Sequence, residues 1–212
     1  MQRFITSLAV FTLASGAVAA LPAQGRDRGL IEMPSRGLRS GLYITGGIGD
    51  GLDSYKYSDL SKYTDWLSSP AAVLRIGGTP NQSVRVGGEL FGWWNSAYDA
   101  SLQENTTETF TAALLDVQLY PARQSGFYVK GGVGIGRSGT SFEIEQSIGK
   151  NAFVYSVGAG YDIPLSRNVS IAPTIDFYQG SFTHRGVPTD SYIERVLNIG
   201  ASLTFQSGRR GR

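Results

Sequence analysis

From Gly41 onward the chain alternates apolar and polar residues with a period of two, the period of a strand whose successive side chains point to opposite faces. Eight segments follow this rhythm, near 41–49, 71–79, 83–94, 110–120, 127–136, 152–162, 169–178 and 196–205. The last is the clearest, with Leu197, Ile199, Ala201, Leu203 and Phe205 on one face and Asn198, Gly200, Ser202 and Thr204 on the other. The connections also alternate. Thr79–Gln82, Pro121–Ser125 and Ile163–Asn168 read as short turns, whereas 50–70, 95–109, 137–151 and 179–195 read as long polar loops. An even strand count, short turns and both termini at one end, and long loops at the other predict an all-β, eight-stranded antiparallel up-and-down transmembrane β-barrel.

A secreted soluble barrel of the lipocalin type, binding a ligand, would show the same alternation, so the two faces must decide. One face takes the even positions of 42–48, 72–78 and 84–94 and the odd positions of 111–119, 127–135, 153–161, 169–177 and 197–205. Of these 39 positions, 32 are apolar and the rest are five glycines, Thr111 and Pro173, so no charge falls on a face that water would have to wet. The complementary face carries Arg75, Arg85, Glu89, Asp116, Lys130, Asp162 and Asp176 among Gly, Ser, Thr, Gln and Tyr. Seven charges are too few to keep a soluble barrel in water but suit a closed interior in which cations and anions pair. An eight-stranded barrel is just wide enough to be filled by its own side chains, which predicts a plugged, hydrogen-bonded core. Ten residues at about 3.3 Å rise and about 45° tilt reach roughly 23 Å, close to the ~25 Å apolar band of such barrels. Trp94, Phe127, Phe153, Tyr161, Phe177 and Phe205 lie toward strand ends, where interface girdles are expected.

The termini set the compartment. Arg3 precedes an apolar run from Phe4 to Ala14, followed by Ala17-Val18-Ala19, the layout of a cleaved secretory signal. A buried N-terminal helix is the competing reading. The expected organisation is a signal peptide at 1–19, a flexible periplasmic linker at 20–40, the barrel at 41–205 and a basic tail at 206–212. No later run of about 18 apolar residues suggests a membrane helix.

Composition then narrows the chemistry. Glycine numbers 28 against about 15 expected at average usage, but without a collagen period. The chain has no Cys and a single His, which excludes disulfides, thiolate zinc sites, Cys nucleophiles and two-histidine metal sites. The net charge of +2 belongs to the tails: residues 41–205 hold 11 cations and 15 anions, a net −4, so the charge gives no support to nucleic-acid binding. The low charged fraction of 17% is that of an uncharged outer face averaged with wet loops.

Four local features invite a chemical reading. Gly134-Ile135-Gly136-Arg137-Ser138-Gly139 spells G-x-G-x-x-G but ends a strand with no helix behind it, so phosphate binding lacks its cradle. His184 lies in one loop with Ser181, Asp190, Ser191 and Glu194, the residue types of a lipid A-modifying hydrolase or transferase, although Thr183-His184-Arg185 fits no His-x-Ser motif. Asp50, Asp53, Asp59 and Asp65 interleave with Tyr55, Tyr57, Tyr63 and Trp66, either as a sticky cation-tolerant surface or as a solvated loop with a short amphipathic turn around 59–67. The inward charges suit a static shape-fixing network, or a gate in which Lys130 or Arg85 changes partners to open a small-solute pore.

The pattern resembles the small eight-stranded outer-membrane β-barrel proteins, a group that includes the membrane domain of outer membrane protein A and the opacity-type surface proteins. Asn198-Ile199-Gly200-Ala201-Ser202-Leu203-Thr204-Phe205 looks like the group's C-terminal assembly signal through Asn198, Gly200, Leu203 and Phe205. Leu203 stands where an aromatic is commoner, and Phe205 is followed by seven residues instead of ending the chain. Gly126–Gly134 and Val157–Asp162 also look like strands and turn entries of the group. The resemblance implies a monomeric, porin-like protein of a Gram-negative cell outer membrane, non-enzymatic and structural or surface-exposed, without a cofactor or metal. Its implied partners are outer-membrane lipid, lipopolysaccharide and the barrel-assembly machinery, and no nucleic acid.

Overall fold

The computed structural model describes residues 39–57, 62–99, 104–122, 125–142, 148–182 and 191–207. Eight strands run through them: β1 (Gly41–Tyr57), β2 (Leu67–Asn81), β3 (Val84–Asp99), β4 (Glu104–Leu119), β5 (Phe127–Phe142), β6 (Ile148–Tyr161), β7 (Val169–Phe182) and β8 (Tyr192–Gln206). Each pairs antiparallel with its sequence neighbour. Ile163–Pro164 forms a two-residue continuation that pairs with Ile171 and Ser170 of β7. β8 then pairs with β1 from Tyr43↔Gln206 to Tyr57↔Tyr192, which closes the sheet into an up-and-down barrel. Closure leaves no strand edge unpaired, the condition for a sheet to cross lipid.

The faces follow the alternation. None of the outward-assigned positions is buried. Ile48 (76% exposed), Leu115 (74%) and Ile135 (71%) are bare to a degree that only lipid makes favourable. Phe127, Tyr161 and Phe205 stand exposed at the short-turn end, with Phe127 directly opposite Tyr161, while Trp94 and Phe153 stand exposed further up the wall.

Two expectations need correction. Segments 50–70, 95–109 and 137–151 are mostly strand and 179–195 is nearly half strand, and the connections left between strands are 58–66, 100–103, 143–147 and 183–191. Above the lipid the outward side chains need not be apolar, so the alternation fades while backbone pairing continues, as in Trp94↔Thr109 through Asp99↔Glu104. Ser96 Oγ and Thr107 Oγ1 bond across that pair at 2.9 Å. Strands of 14–17 residues rise roughly 33–40 Å, well past a ~25 Å apolar band. Asp59 lies outside the described residues. Residues 62–66 form no helix and are tied to β1 by Thr64 N donating to Tyr55 O at 2.9 Å.

The second correction concerns the interior, which is not uniformly polar. Phe91, Trp93, Phe110, Tyr178, Phe182, Val154 and Val196 form a buried apolar cluster inside the barrel. Phe91 stacks on Tyr178 with ring centroids 3.8 Å apart and meets Phe110 edge-on. Aromatic rings fill the lumen here for the same reason that charges fill it lower down. A barrel this narrow must be solid, and a ring fills more volume per residue than any other side chain.

Candidate functional site

The lumen is layered from the short-turn end upward. At that end Arg85 Nη1 donates to Tyr120 OH (2.6 Å) and to Asp162 (3.1 Å), and its Nη2 donates to Gln206 Oε1 (2.8 Å). Tyr120 OH also bonds Asp162 at 2.9 Å. Arg39, just before β1, lays its guanidinium 3.7 Å from the Tyr120 ring centroid and donates to the carbonyls of Gln82 (3.2 Å) and Ser125. Gln206, the last residue of β8, thus serves as a partner of a lumen cation.

One layer up, Arg75 pairs with Glu89, its cross-strand neighbour, and with Asp176 across the lumen at 2.8 Å. Lys130 pairs with the same Glu89, reaches Asp176 at 3.3 Å and donates to Tyr178 OH at 3.3 Å. Two cations thus meet two anions, all within 5% of complete burial. Register explains how. Lys130, Gly158 and Asp176 lie in one row across β5, β6 and β7, and a Cβ at Gly158 would strike the Asp176 carboxylate, so glycine opens the space for the pair. Asp116 stays apart: it accepts from Gln118 Nε2 at 3.4 Å and has no ion pair among the described residues.

Above these charges lies the aromatic cluster, and above that a cavity of about 90 Å³. Asp53, Tyr55 and Tyr57 of β1, Trp93 of β3, Glu108 and Thr109 of β4, Ser138, Gly139 and Thr140 of β5, and Tyr192 and Glu194 of β8 line it. The face assigned to lipid ends at Ile48 on β1 and begins at Thr111 on β4 and Leu197 on β8, so these three carboxylates stand beyond that assigned span. Burial pushes the Asp53 carboxyl up to about 7, with the charge of Glu108 acting the same way, against hydrogen bonds from Glu194 and the Ser54 backbone. Burial and then the charge of Asp53 hold Glu194 well above the usual carboxylate range. Burial and the charge of each on the other thus raise both carboxyls, which favours the protonated form of the pair.

The other candidate features fall as follows. Gly134–Gly139 lies inside β5 with no helix after it among the described residues, and a Cβ at Gly134 would run into the Ala113 carbonyl of β4, so close strand approach accounts for that glycine. His184 and Asp190 lie outside the described residues. Ser181 faces outward on β7 while Glu194 faces inward on β8, so the wall itself separates these two members of the suggested triad. Asp50 points outward and accepts from Ser68 Oγ at 2.7 Å, whereas Asp53 points inward, which divides the suspected acidic surface between two faces. Among the described residues no group of three or more His, Cys, Asp or Glu is placed to hold a metal ion. Sequence reasoning missed Tyr120, Tyr178, Gln206 and Arg39 as partners of the lumen charges, and it read Asp53 and Glu194 as loop. The inward parity of Asp53 and Glu194, continued from the clear parts of β1 and β8, was the signal available.

No curated protein matches this sequence. Among solved structures, the attachment invasion locus protein Ail of Yersinia pestis, in complex with the heparin analogue sucrose octasulfate, superposes with a TM-score of 0.55 at 13% identity, over 78% of this chain and 99% of that one. Neisserial surface protein A superposes with a TM-score of 0.53 at 12% identity, over 79% and 98%. At such identities the likeness is one of fold. The family model described as "Outer membrane protein beta-barrel domain" matches residues 6–205. The chain therefore belongs to the outer-membrane β-barrel protein family and is an integral β-barrel of the bacterial outer membrane.

Proposed function

We propose that this barrel is a non-enzymatic, surface-exposed outer-membrane protein that is closed to bulk solutes. The observation that supports the reading is the filling of the lumen: the buried Arg75–Glu89–Lys130–Asp176 cluster lies beneath the stacked rings of Phe91 and Tyr178. The charges act as a static network that fixes the cross-section, because two cations and two anions already satisfy each other. The strand extensions beyond the lipid carry the surface at which partners would be met. Residues 1–19 act as the export signal, 20–40 as a periplasmic linker and 206–212 as a basic tail. The barrel inserts as a monomer, contacts lipopolysaccharide through its outer face, and presents Asn198, Gly200, Leu203 and Phe205 of β8 to the barrel-assembly machinery.

The test has two parts. Heat-modifiable migration and protease shaving of intact cells are expected to show a folded barrel whose 58–66 and 183–191 connections are cut from outside. Planar-bilayer recording is expected to show no discrete conductance steps; steps that vanish when Lys130 or Arg85 is replaced would establish the gated pore instead. Loss of a lipid A modification in a His184→Ala strain would establish an enzyme.

A further inference from the structure

We propose that the cavity above the aromatic cluster is a binding site for a small primary alkylammonium ion entering from outside the cell. Two independent observations meet there. Three carboxylates from three strands, Asp53, Glu108 and Glu194, line one cavity with four aromatic side chains, Tyr55, Tyr57, Trp93 and Tyr192. Asp53 and Glu194 are also each more than nine-tenths buried, and Asp53 Oδ1 and Glu194 Oε2 each lack a hydrogen-bond donor. A buried acceptor without a donor is costly, and a buried carboxylate more so.

The chemistry selects the ligand. Three carboxylates gathered on one cavity call for N–H donors that also carry positive charge, and an ammonium head brings three. The aromatic walls suit the alkyl stem and add cation–π attraction to the head. The three carboxylates are not placed to hold a metal together. The floor is closed by Trp93, whose Nε1 donates to Gly51 O at 2.8 Å and whose ring belongs to the aromatic cluster, so the ligand is held without passing through. Binding here does not require the barrel to be closed to ions at the membrane level.

Proton linkage follows from the neighbourhood. The titratable groups around the Asp53–Glu194 pair are Tyr55 and Tyr57 on β1, Glu108 on β4, Tyr192 on β8, and Lys150 of β6, whose Nζ lies 5.1 Å from the Tyr192 ring centroid. β3 and β5 contribute only Trp93, Ser138, Gly139 and Thr140 to the lining. An entering ammonium replaces the proton held by the Asp53–Glu194 pair, so binding releases a proton and tightens as pH rises through about 7.

The experiment uses the full chain folded in detergent micelles, with Trp66→Phe and Trp94→Phe so that Trp93 alone reports. Butylammonium, tetramethylammonium and 1-butanol are titrated at pH 5.5 and pH 8, with calorimetry in buffers of different ionisation enthalpy. The expected result is saturable butylammonium binding that is at least tenfold tighter at pH 8, with proton release. Tetramethylammonium, charged but without N–H, should bind at least tenfold more weakly, and 1-butanol should give no response. Glu108→Gln, at a half-buried position, and the pair Asp53→Asn with Glu194→Gln should each weaken binding tenfold or more while keeping heat-modifiable migration. The proposal is overturned if wild-type protein shows no saturable binding, if 1-butanol or tetramethylammonium binds as well, or if a folded variant binds butylammonium unchanged.

Discussion

The lumen holds two sets of carboxylates that differ in one respect. At the membrane level Glu89 and Asp176 each touch both Arg75 and Lys130, whereas above the aromatic cluster Asp53, Glu108 and Glu194 line a cavity and make no ion pair among the described residues. Where no outside ligand can reach, the barrel supplies its own counter-charges. In the upper layer burial and mutual repulsion raise the Asp53 and Glu194 carboxyls instead, which favours their protonated form. Carboxylates inside one barrel are thus neutralised by ion pairs in one layer and gathered around a cavity in another, with the aromatic cluster between them.

The sharpest way to break this comparison is to remove a cation from the lower set. Arg75→Ala leaves Glu89 and Asp176 with Lys130 alone in a buried space, and breaking a buried ionic cluster by removing one partner costs about 3–5 kcal/mol. The midpoint of urea unfolding in micelles should fall accordingly. A shift within error would show that water reaches this layer and that it is not sealed.

The upper set should reveal itself through pH. With its folded-state value raised to about 7, Asp53 binds its proton more tightly in the barrel than in the unfolded chain, as does Glu194. The stabilisation is therefore complete below pH ~4 and is lost as pH climbs through about 7, by on the order of 2–4 kcal/mol. Unfolding midpoints should decline over that window in the wild type. They should stay nearly flat when Asp53→Asn and Glu194→Gln are combined. A decline that persists in the double variant would place the titration elsewhere in the lumen.

How much of this was written in the sequence differs by face. Lipid imposes one rule at every second residue, so the outer positions and hence the strand count and closure could be read directly. The inner face obeys no single rule. Arg75 and Glu89 are neighbours across a hairpin, but Asp176 reaches them across the barrel, and Tyr120, Tyr178 and Gln206 complete the bonds from strands far apart in sequence. Above the lipid, even the outer rule lapses. Asp53 and Glu194 then look like loop residues because Asp50, Ser68 and Arg195 around them are polar, although the backbone ladder runs on unchanged.

The layer between the two sets supplies a smaller effect. Phe91→Leu keeps an apolar side chain but removes the stack on Tyr178 and the edge contact with Phe110, and aromatic pairs contribute about 0.5–1.5 kcal/mol each beyond the area they bury. A loss of roughly 1–2 kcal/mol in unfolding free energy is expected, without a change in the pH dependence assigned to Asp53. If the pH window moves as well, the two carboxylate sets communicate through this layer and the separation drawn above fails.

The smallest effect tests whether the bottom of the lumen needs its stopper. Arg39 contributes one guanidinium stacked on Tyr120 and bonds to two turn carbonyls, at Gln82 and Ser125, that belong to different hairpins. Arg85 also faces the Tyr120 ring, at 5.3 Å from its centroid, so Tyr120 stays covered when Arg39 is lost. Arg39→Ala should therefore cost only about 1 kcal/mol, the scale of a partly exposed cation–π contact with its hydrogen bonds. Since the residue lies before β1, the loss should appear as faster amide exchange at the β2–β3 and β4–β5 turns, with protection of the strands unchanged. Exchange that accelerates through β1 and β8 instead would mean that Arg39 holds the barrel seam itself, and that the ionic layers above it depend on closure from below.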